Sequence, residues 1–337
     1  MSLNEQARMI LPVIESELRR QARRLAAPST RAFHGMLAYH MGWIGSSATK
    51  GRGGKRIRPL LSLLACSSVG GRWRQAVPAA AALELVHNFS LVHDDIQDNS
   101  PTRRGRPTLW RKAGMPLAVN AGDALFTIAN QAALDLSRSF EPAVVVAVLR
   151  ILEQACLDLT KGQFLDLYHQ EAQRLSTRSY WEMIEGKTAA LLAAGAQIGA
   201  LLGGSSGARQ LQYRQFGRLL GLAFQVQDDI LGIWGDEGRT GKSAASDLVE
   251  GKLSLPVVYG LGRTGEFARH WRDAGYRATH ASLLRDLLER EGARAYATRH
   301  AGRLTKEAVA TLRALRPRGA AGAALEELSM QLMARKA

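Results

Sequence analysis

Two of the most apolar stretches in this chain end in aspartate. Residues 82–98 carry Leu85, Val86, Phe89, Val92 and Ile96 at helical spacing and close on Asp94-Asp95-Ile96-Gln97-Asp98. Likewise Leu219, Leu220, Leu222 and Phe224 lead into Asp228-Asp229. A fold that buries these stripes must deliver two sets of carboxylates to the margin of its own core. Cations follow each set, Arg103-Arg104 after the first and Lys242 and Lys252 after the second. Such a gathering suits a polyanion held through divalent metal. Hard cations such as Mg²⁺ take oxygen ligands, commonly one or two carboxylates plus substrate phosphates, and Arg and Lys neutralise the phosphate oxygens left over. The bland alternative is a solvated helix face of alternating charge, against which the apolar flanks argue.

At about 100° per residue, His87, Leu91, Asp94 and Asp98 share one narrow stripe. Like charges four apart disfavour a bare helix, and a sequence keeps them when a cation sits between. A lone helical histidine is usually a satisfied core residue; alignment with the aspartates makes His87 a candidate for the same site. The second cluster is thinner. Gln225 and Asp229 share a face, while Gly232, four after Asp228, offers nothing to a metal.

The rest of the chain reads as helix. No Val/Ile/Thr-rich alternating segment stands out, and turn signals are sparse. Helices are expected at 3–26, 30–44, 56–69, 75–99, 116–136, 142–170, 178–204, 208–234, 244–262, 280–291 and 294–314, with one more at the carboxyl end. Pro28, Pro59, Pro78, Pro116, Pro142 and Pro256 fall near their starts, where a missing N–H costs least. Gly-rich breaks lie at 51–54, 203–207 and 235–241. With no dividing linker or fixed repeat, the expectation is one all-α domain over 1–337.

At 337 residues and 46% hydrophobic, the chain can build a large core. Cys66 and Cys156 sit in apolar runs, as reduced thiols do. The amino terminus lacks a basic region followed by an apolar stretch, so a cytoplasmic protein is expected. The apolar run 188–204 is Ala/Gly-rich, interrupted by Gln197, and too short for a membrane span. The net charge of +15 is spread over many arginines with no basic run interleaved with aromatics. The Arg-rich tail from Arg263 also carries Glu266, Asp273, Asp286, Glu289 and Glu291. Nucleic-acid binding is therefore not expected, whereas weak attraction to an anionic membrane surface fits the charge.

The segments HDDIQD, RRGRP, GRGGKRIRP, FQVQDDILGIWGD and TGKSAASDLVEGKLSLP together resemble the trans-prenyltransferases, the polyprenyl diphosphate synthases, in order over roughly residues 50–260. The resemblance implies a helical bundle or barrel of the isoprenoid synthase type, acting as a homodimer. It implies an allylic diphosphate ionised by three Mg²⁺, attacked by the double bond of isopentenyl diphosphate, with loss of a proton. Asp94, Asp98 and Asp228 match the metal ligands. Lys55, Arg58, His87 and Arg104 match the isopentenyl diphosphate site. Arg103, Lys187, Thr188, Gln225 and Lys242 match contacts to the allylic diphosphate, assisted by Lys252.

The residues suit that chemistry independently. Departure of a diphosphate is helped by metals and cations without a nucleophilic side chain, and a carbocation needs a dry apolar cavity. In GRGGKRIRP, Gly51, Gly53 and Gly54 allow close backbone approach to a phosphate while Lys55, Arg56 and Arg58 supply charge. The departure from the family is Gly232, where many members carry a third aspartate. That leaves Asp228 as ligand with Asp229 in support. An apolar face on each of 116–136 and 142–170 is available for self-association.

Product length rests on residues one turn before Asp94, where bulk limits growth in the family. Ser90 lies about 40° around the helix from Asp94 and Phe89 about 140°. The small Ser90 leaves depth beneath the metals, so the twenty-carbon geranylgeranyl product is expected. A farnesyl or longer-chain synthase is the alternative. A terpene cyclase of the same fold needs no second diphosphate site such as GRGGKRIRP, and noncatalytic partner subunits usually lack the Asp-rich motifs.

Overall fold

The computed structural model describes residues 1–44, 54–172, 175–235 and 245–333. Seventeen α-helices follow one another among them. They are α1 (Leu3–Ala22), α2 (Arg31–His40), α3 (Ile57–Ser68), α4 (Val77–Gln97), α5 (Leu109–Ala113), α6 (Met115–Leu134), α7 (Pro142–Ala172), α8 (Thr177–Ile184) and α9 (Ala190–Leu202). Then come α10 (Gly207–Trp234), α11 (Ser246–Val249), α12 (Leu255–Gly262), α13 (Glu266–Trp271), α14 (Ala274–Thr279), α15 (Ala281–Arg290), α16 (Ala293–Ala314) and α17 (Gly319–Met333). The chain is all-α.

Local signals set these boundaries. Ser2 and Glu5 form a reciprocal capping box at the start of α1, and Pro78, Pro116 and Pro256 occupy the first turns of α4, α6 and α12. The expected helix 244–262 is broken after Val249, where Gly251 takes φ +73°. One short ladder among the described residues was not expected: Thr102–Arg103 pairs antiparallel with Arg106–Pro107. Arg104 and Gly105 both have positive φ between them, as a two-residue hairpin turn matching strand twist requires.

Contacts divide the chain into two compact units. The first comprises 1–154, 194–214 and 316–325; the second comprises 155–193, 215–315 and 326–337. In the first, α4 is the central helix, packed on α6, α3 and α1. Its first half is apolar and buried all round, from Val77 through Val86 with Glu84 as the one charge. Close approach is built in by glycine. A side chain at Gly199 of α9 would overlap the Ser62 carbonyl of α3, and one at Gly122 of α6 would overlap the His93 ring. In the second unit α12 packs on α16 and α8, and Gly221 of α10 lets that helix approach the Ala189 backbone. Cys66 and Cys156 are free thiols in buried positions, and burial pushes Cys66 up to about 12. Among the described residues no helix is long and apolar enough to cross a membrane.

Candidate active site

In the first unit, α4 delivers its acidic end to the surface. Asp94 is half-buried, Asp95 buried, and Asp98 exposed at the C-cap, its N–H bonded to the Asp94 carbonyl at 2.8 Å. The four-residue spacing is kept. Three carboxylates at this end face the negative pole of the helix dipole, an unfavourable placement that a cation would relieve. The neighbouring Asp95 is the partner that sequence alone did not identify. Arg103 Nε donates to its Oδ1 at 2.8 Å, while its Oδ2 is buried without a hydrogen bond. Burial raises the Asp95 carboxyl against the pull of Arg103.

A set of cations converges behind those carboxylates. Burial, followed by the guanidiniums of Arg58, Arg104, Arg103 and Arg56, holds His87 well below its usual range, so it is neutral at pH 7. The same surroundings depress His40, at the end of α2, to about 3, through burial and then Arg103, Arg104 and Arg56. Its Nε2 is buried with no hydrogen bond, and no sequence signal singled it out. Arg104 itself is pulled down by burial and by the charges of Arg56 and Arg103. Gly54, at φ +92°, abuts the Arg104 guanidinium, where an added Cβ would lie 2.8 Å from its nitrogen. Gly54, just ahead of Lys55, is therefore seated on Arg104.

Arg56 corrects one expectation. It does not supply charge to a phosphate alongside Lys55 and Arg58. It turns inward at φ +48°, 6% exposed, and donates to Glu84 at 2.7 Å and to Glu15 at 3.2 Å. Asn88 also donates to Glu84. Gly51 and Gly53 lie outside the described residues.

In the second unit, the segment Glu185–Ala189 is a π-turn between α8 and α9 and carries Lys187 and Thr188. Such turns recur at functional sites. The backbone of Gly162 on α7 presses against Lys187, and Lys187 Nζ donates to Asp166 at 2.5 Å. Thr188 donates to Gln225 Oε1 at 2.6 Å, so two residues placed together by resemblance are in contact. Asp228 is half-buried on α10. The adjacent Asp229 is buried and accepts from Tyr180 Oη at 2.6 Å, Leu255 N at 2.8 Å and Gln225 Nε2 at 2.9 Å. Burial pushes it up to about 7 despite those three donors.

Gly232 acquires a local cause. A side chain there would overlap the Asp247 carboxylate, so Asp247 occupies space that a third aspartate would need. Lys252 Nζ lies 3.6 Å from Asp247 and 2.7 Å from Glu250. Lys242 lies outside the described residues. No group of three His, Cys, Asp or Glu among the described residues is arranged as a ready metal cage. The oxygen-only donor set instead fits Mg²⁺, which keeps water and substrate phosphates as its other ligands.

A polyprenyl synthetase family model matches residues 45–285. The chain belongs to the polyprenyl synthetase family. It is 42% identical over 235 residues to a geranylgeranyl diphosphate synthase of Mycobacterium tuberculosis, covering 69% of this chain and 66% of that protein. It is 41% identical over 239 residues to a farnesyl diphosphate synthase of Mycobacterium bovis, covering 69% and 65%. The chain thus spans just under two thirds of these relatives' lengths. A polyprenyl synthase structure from Caulobacter crescentus, complexed with calcium and isoprenyl diphosphate, superposes with a TM-score of 0.84 at 31% identity, over 99% of this chain and 98% of that one. Fold and family match the sequence expectation, and within the family the chain resembles the geranylgeranyl diphosphate synthases.

Arg56 separates a structural role from a substrate-binding one. Arg56→Met strands the buried Glu84, and breaking such a pair costs about 3–5 kcal/mol, so thermal unfolding should move well down. Lys55→Ala, at an exposed position, should leave it within about 0.5 kcal/mol. Wild-type melting of Arg56→Met would overturn the structural role.

Proposed function

We propose that this chain is a trans-prenyltransferase that condenses isopentenyl diphosphate with an allylic diphosphate, with geranylgeranyl diphosphate as product. The observation carrying this is the cluster of Arg58, Arg103 and Arg104 around a neutral His87, set against the carboxylate end of α4. Guanidiniums gathered closely enough to pull Arg104 down and to hold a buried histidine neutral are a site prepared for a multiply charged anion.

Roles follow for each side chain. Lys55, Arg58, His87 and Arg104 bind isopentenyl diphosphate, His87 as a neutral donor. Arg103, Lys187, Thr188, Gln225 and Lys242, with Lys252, attend the allylic diphosphate. Asp94, Asp98 and Asp228 would hold Mg²⁺, three ions by family resemblance. Bound there, Mg²⁺ would supply positive charge to a departing diphosphate. The allylic carbon–oxygen bond breaks, the isopentenyl double bond forms the new carbon–carbon bond, and a proton leaves. Free buried cysteines accord with a cytoplasmic setting, and residues 1–337 act as one synthase domain. Met115, Leu117, Val119 and Leu134 on α6 and Val146 on α7 are exposed apolar residues, which support a homodimer.

Purified protein given Mg²⁺, isopentenyl diphosphate and each allylic primer should yield elongated prenyl diphosphates, sized by chromatography. Asp94→Asn should reduce turnover by about 10²-fold or more, since metal-supported electrostatic stabilisation carries the step. Near-normal turnover would sink the assignment, and no turnover in the wild type would point to a noncatalytic subunit.

Chain length is set one turn along α4 from the metals. Ser90 is buried, its hydroxyl turned back to the His87 carbonyl at 2.9 Å, and Phe89 leans on Phe126 of α6 at 5.1 Å between ring centroids. Ser90→Phe should shift products towards fifteen carbons at near-normal ionisation rates. Phe89→Ala should lengthen them more weakly. An unchanged distribution in Ser90→Phe would refute the length assignment alone.

Sedimentation velocity at micromolar concentration should report a dimer. A fully active monomer would refute the proposed assembly.

A further inference from the structure

In the second unit a chain of hydrogen bonds links Tyr180, Asp229, Gln225 and Thr188, and its direction is determined at one end. Tyr180 is 0% exposed and places its hydroxyl 2.6 Å from Asp229 Oδ2. The Leu255 N–H, which can only donate, reaches the same oxygen at 2.8 Å. Both of these donors fall on Oδ2, and an ionised Asp229 accepts at Oδ1 as well. Gln225 must therefore turn its amide nitrogen to Asp229 Oδ1, at 2.9 Å, and its oxygen to Thr188. Thr188 gives its single hydroxyl hydrogen to that oxygen at 2.6 Å. Gln225 retains a second N–H, while Thr188 can offer only lone pairs elsewhere. A phosphate oxygen accepts and does not donate. Of this pair, both among the residues assigned to the allylic diphosphate, Gln225 alone has a side-chain hydrogen for it.

A purely packing role would not call for the phenol. Tyr180 meets Trp181 edge-on at 5.3 Å, a contact that phenylalanine would make equally well. Burying a hydroxyl with one partner is favourable only because that partner is a carboxylate.

We infer that Tyr180 is a positioning residue for the allylic diphosphate: acting through Asp229, it sets the amide orientation by which Gln225, and not Thr188, donates to phosphate. This rests on the prenyltransferase assignment above. It concerns a residue that touches no substrate, so its effect should pass through Gln225 alone.

The test compares Tyr180→Phe in the wild-type and Gln225→Ala backgrounds at pH 8 and saturating Mg²⁺, varying each substrate. Loss of a hydrogen bond to a charged group should raise the allylic KM about tenfold, with the isopentenyl diphosphate KM changed less than about twofold. In the Gln225→Ala background Tyr180→Phe should add nothing further to the allylic KM. Equal effects on both substrates, an unchanged allylic KM, or a full tenfold effect without Gln225 would each overturn the inference. Asp229→Asn removes the obligate acceptor and should show the same dependence on Gln225, which covers a Tyr180→Phe protein that does not fold. Calorimetric titration of inorganic pyrophosphate with Mg²⁺ reads the same coupling without turnover. Wild-type protein that binds pyrophosphate but transfers no prenyl group would thus sink the catalytic assignment while leaving this one decided.

Discussion

A carboxylate taken out of water must be given donors, and each unit of this protein is organised around one such group. In the first it is Glu84, buried in the apolar half of α4 and held by Arg56 and Asn88. In the second it is Asp229, held by Tyr180, Leu255 and Gln225. Desolvation makes an unpaired version of either group cost several kcal/mol. The segments bringing the donors are therefore fixed in register: Arg56 holds its own segment, and with it Arg58, against α4, and Leu255 fixes the start of α12 just beyond Lys252. The positions proposed to face substrate are set by buried charges.

The outward-facing charges are arranged on the opposite rule. Arg104 is pulled down by burial and by Arg56 and Arg103; burial and the same three guanidiniums depress both His40 and His87, with Arg58 adding to the effect on His87. Without a bound anion this arrangement is self-repulsive, and an exposed part of that repulsion is screened at physiological salt. The acidic end of α4 likewise opposes its own helix dipole. In the proposed function a metal ion would relieve the carboxylates and a diphosphate the guanidiniums. Affinity and native-state strain are two aspects of one electrostatic arrangement.

Much of this was legible in sequence because it depends on period and order. The helical stripe of Leu85, Val86, Phe89 and Val92 gave α4 and the facing of Asp94 and Asp98, and the ordered motifs gave the family. What stayed hidden depends on contacts between distant residues. Arg56 reads like its neighbours Lys55 and Arg58 until Glu84 appears beside it. Gly232 reads as a missing ligand until the Asp247 carboxylate is found against it. Residues 244–262 were expected as one helix, since a single Gly251 is a weak break; its positive φ decides the matter. Asp166 and Tyr180 carried no local mark, and Asp95 read only as one member of its cluster, because the partners Lys187, Asp229 and Arg103 are made so by folding.

The π-turn at Glu185–Ala189 has a consequence for how this stretch can vary. A π-turn holds one residue more than the α-helical turn it replaces. Removing a single residue between 185 and 189 would let the helix close as ordinary α. Because the π-turn fits its extra residue into nearly the same sweep as an α turn, the helix faces on either side would stay close to register, and the change would fall on the bulge that carries Lys187 and Thr188. The length of this segment therefore bears on the site more than on the core.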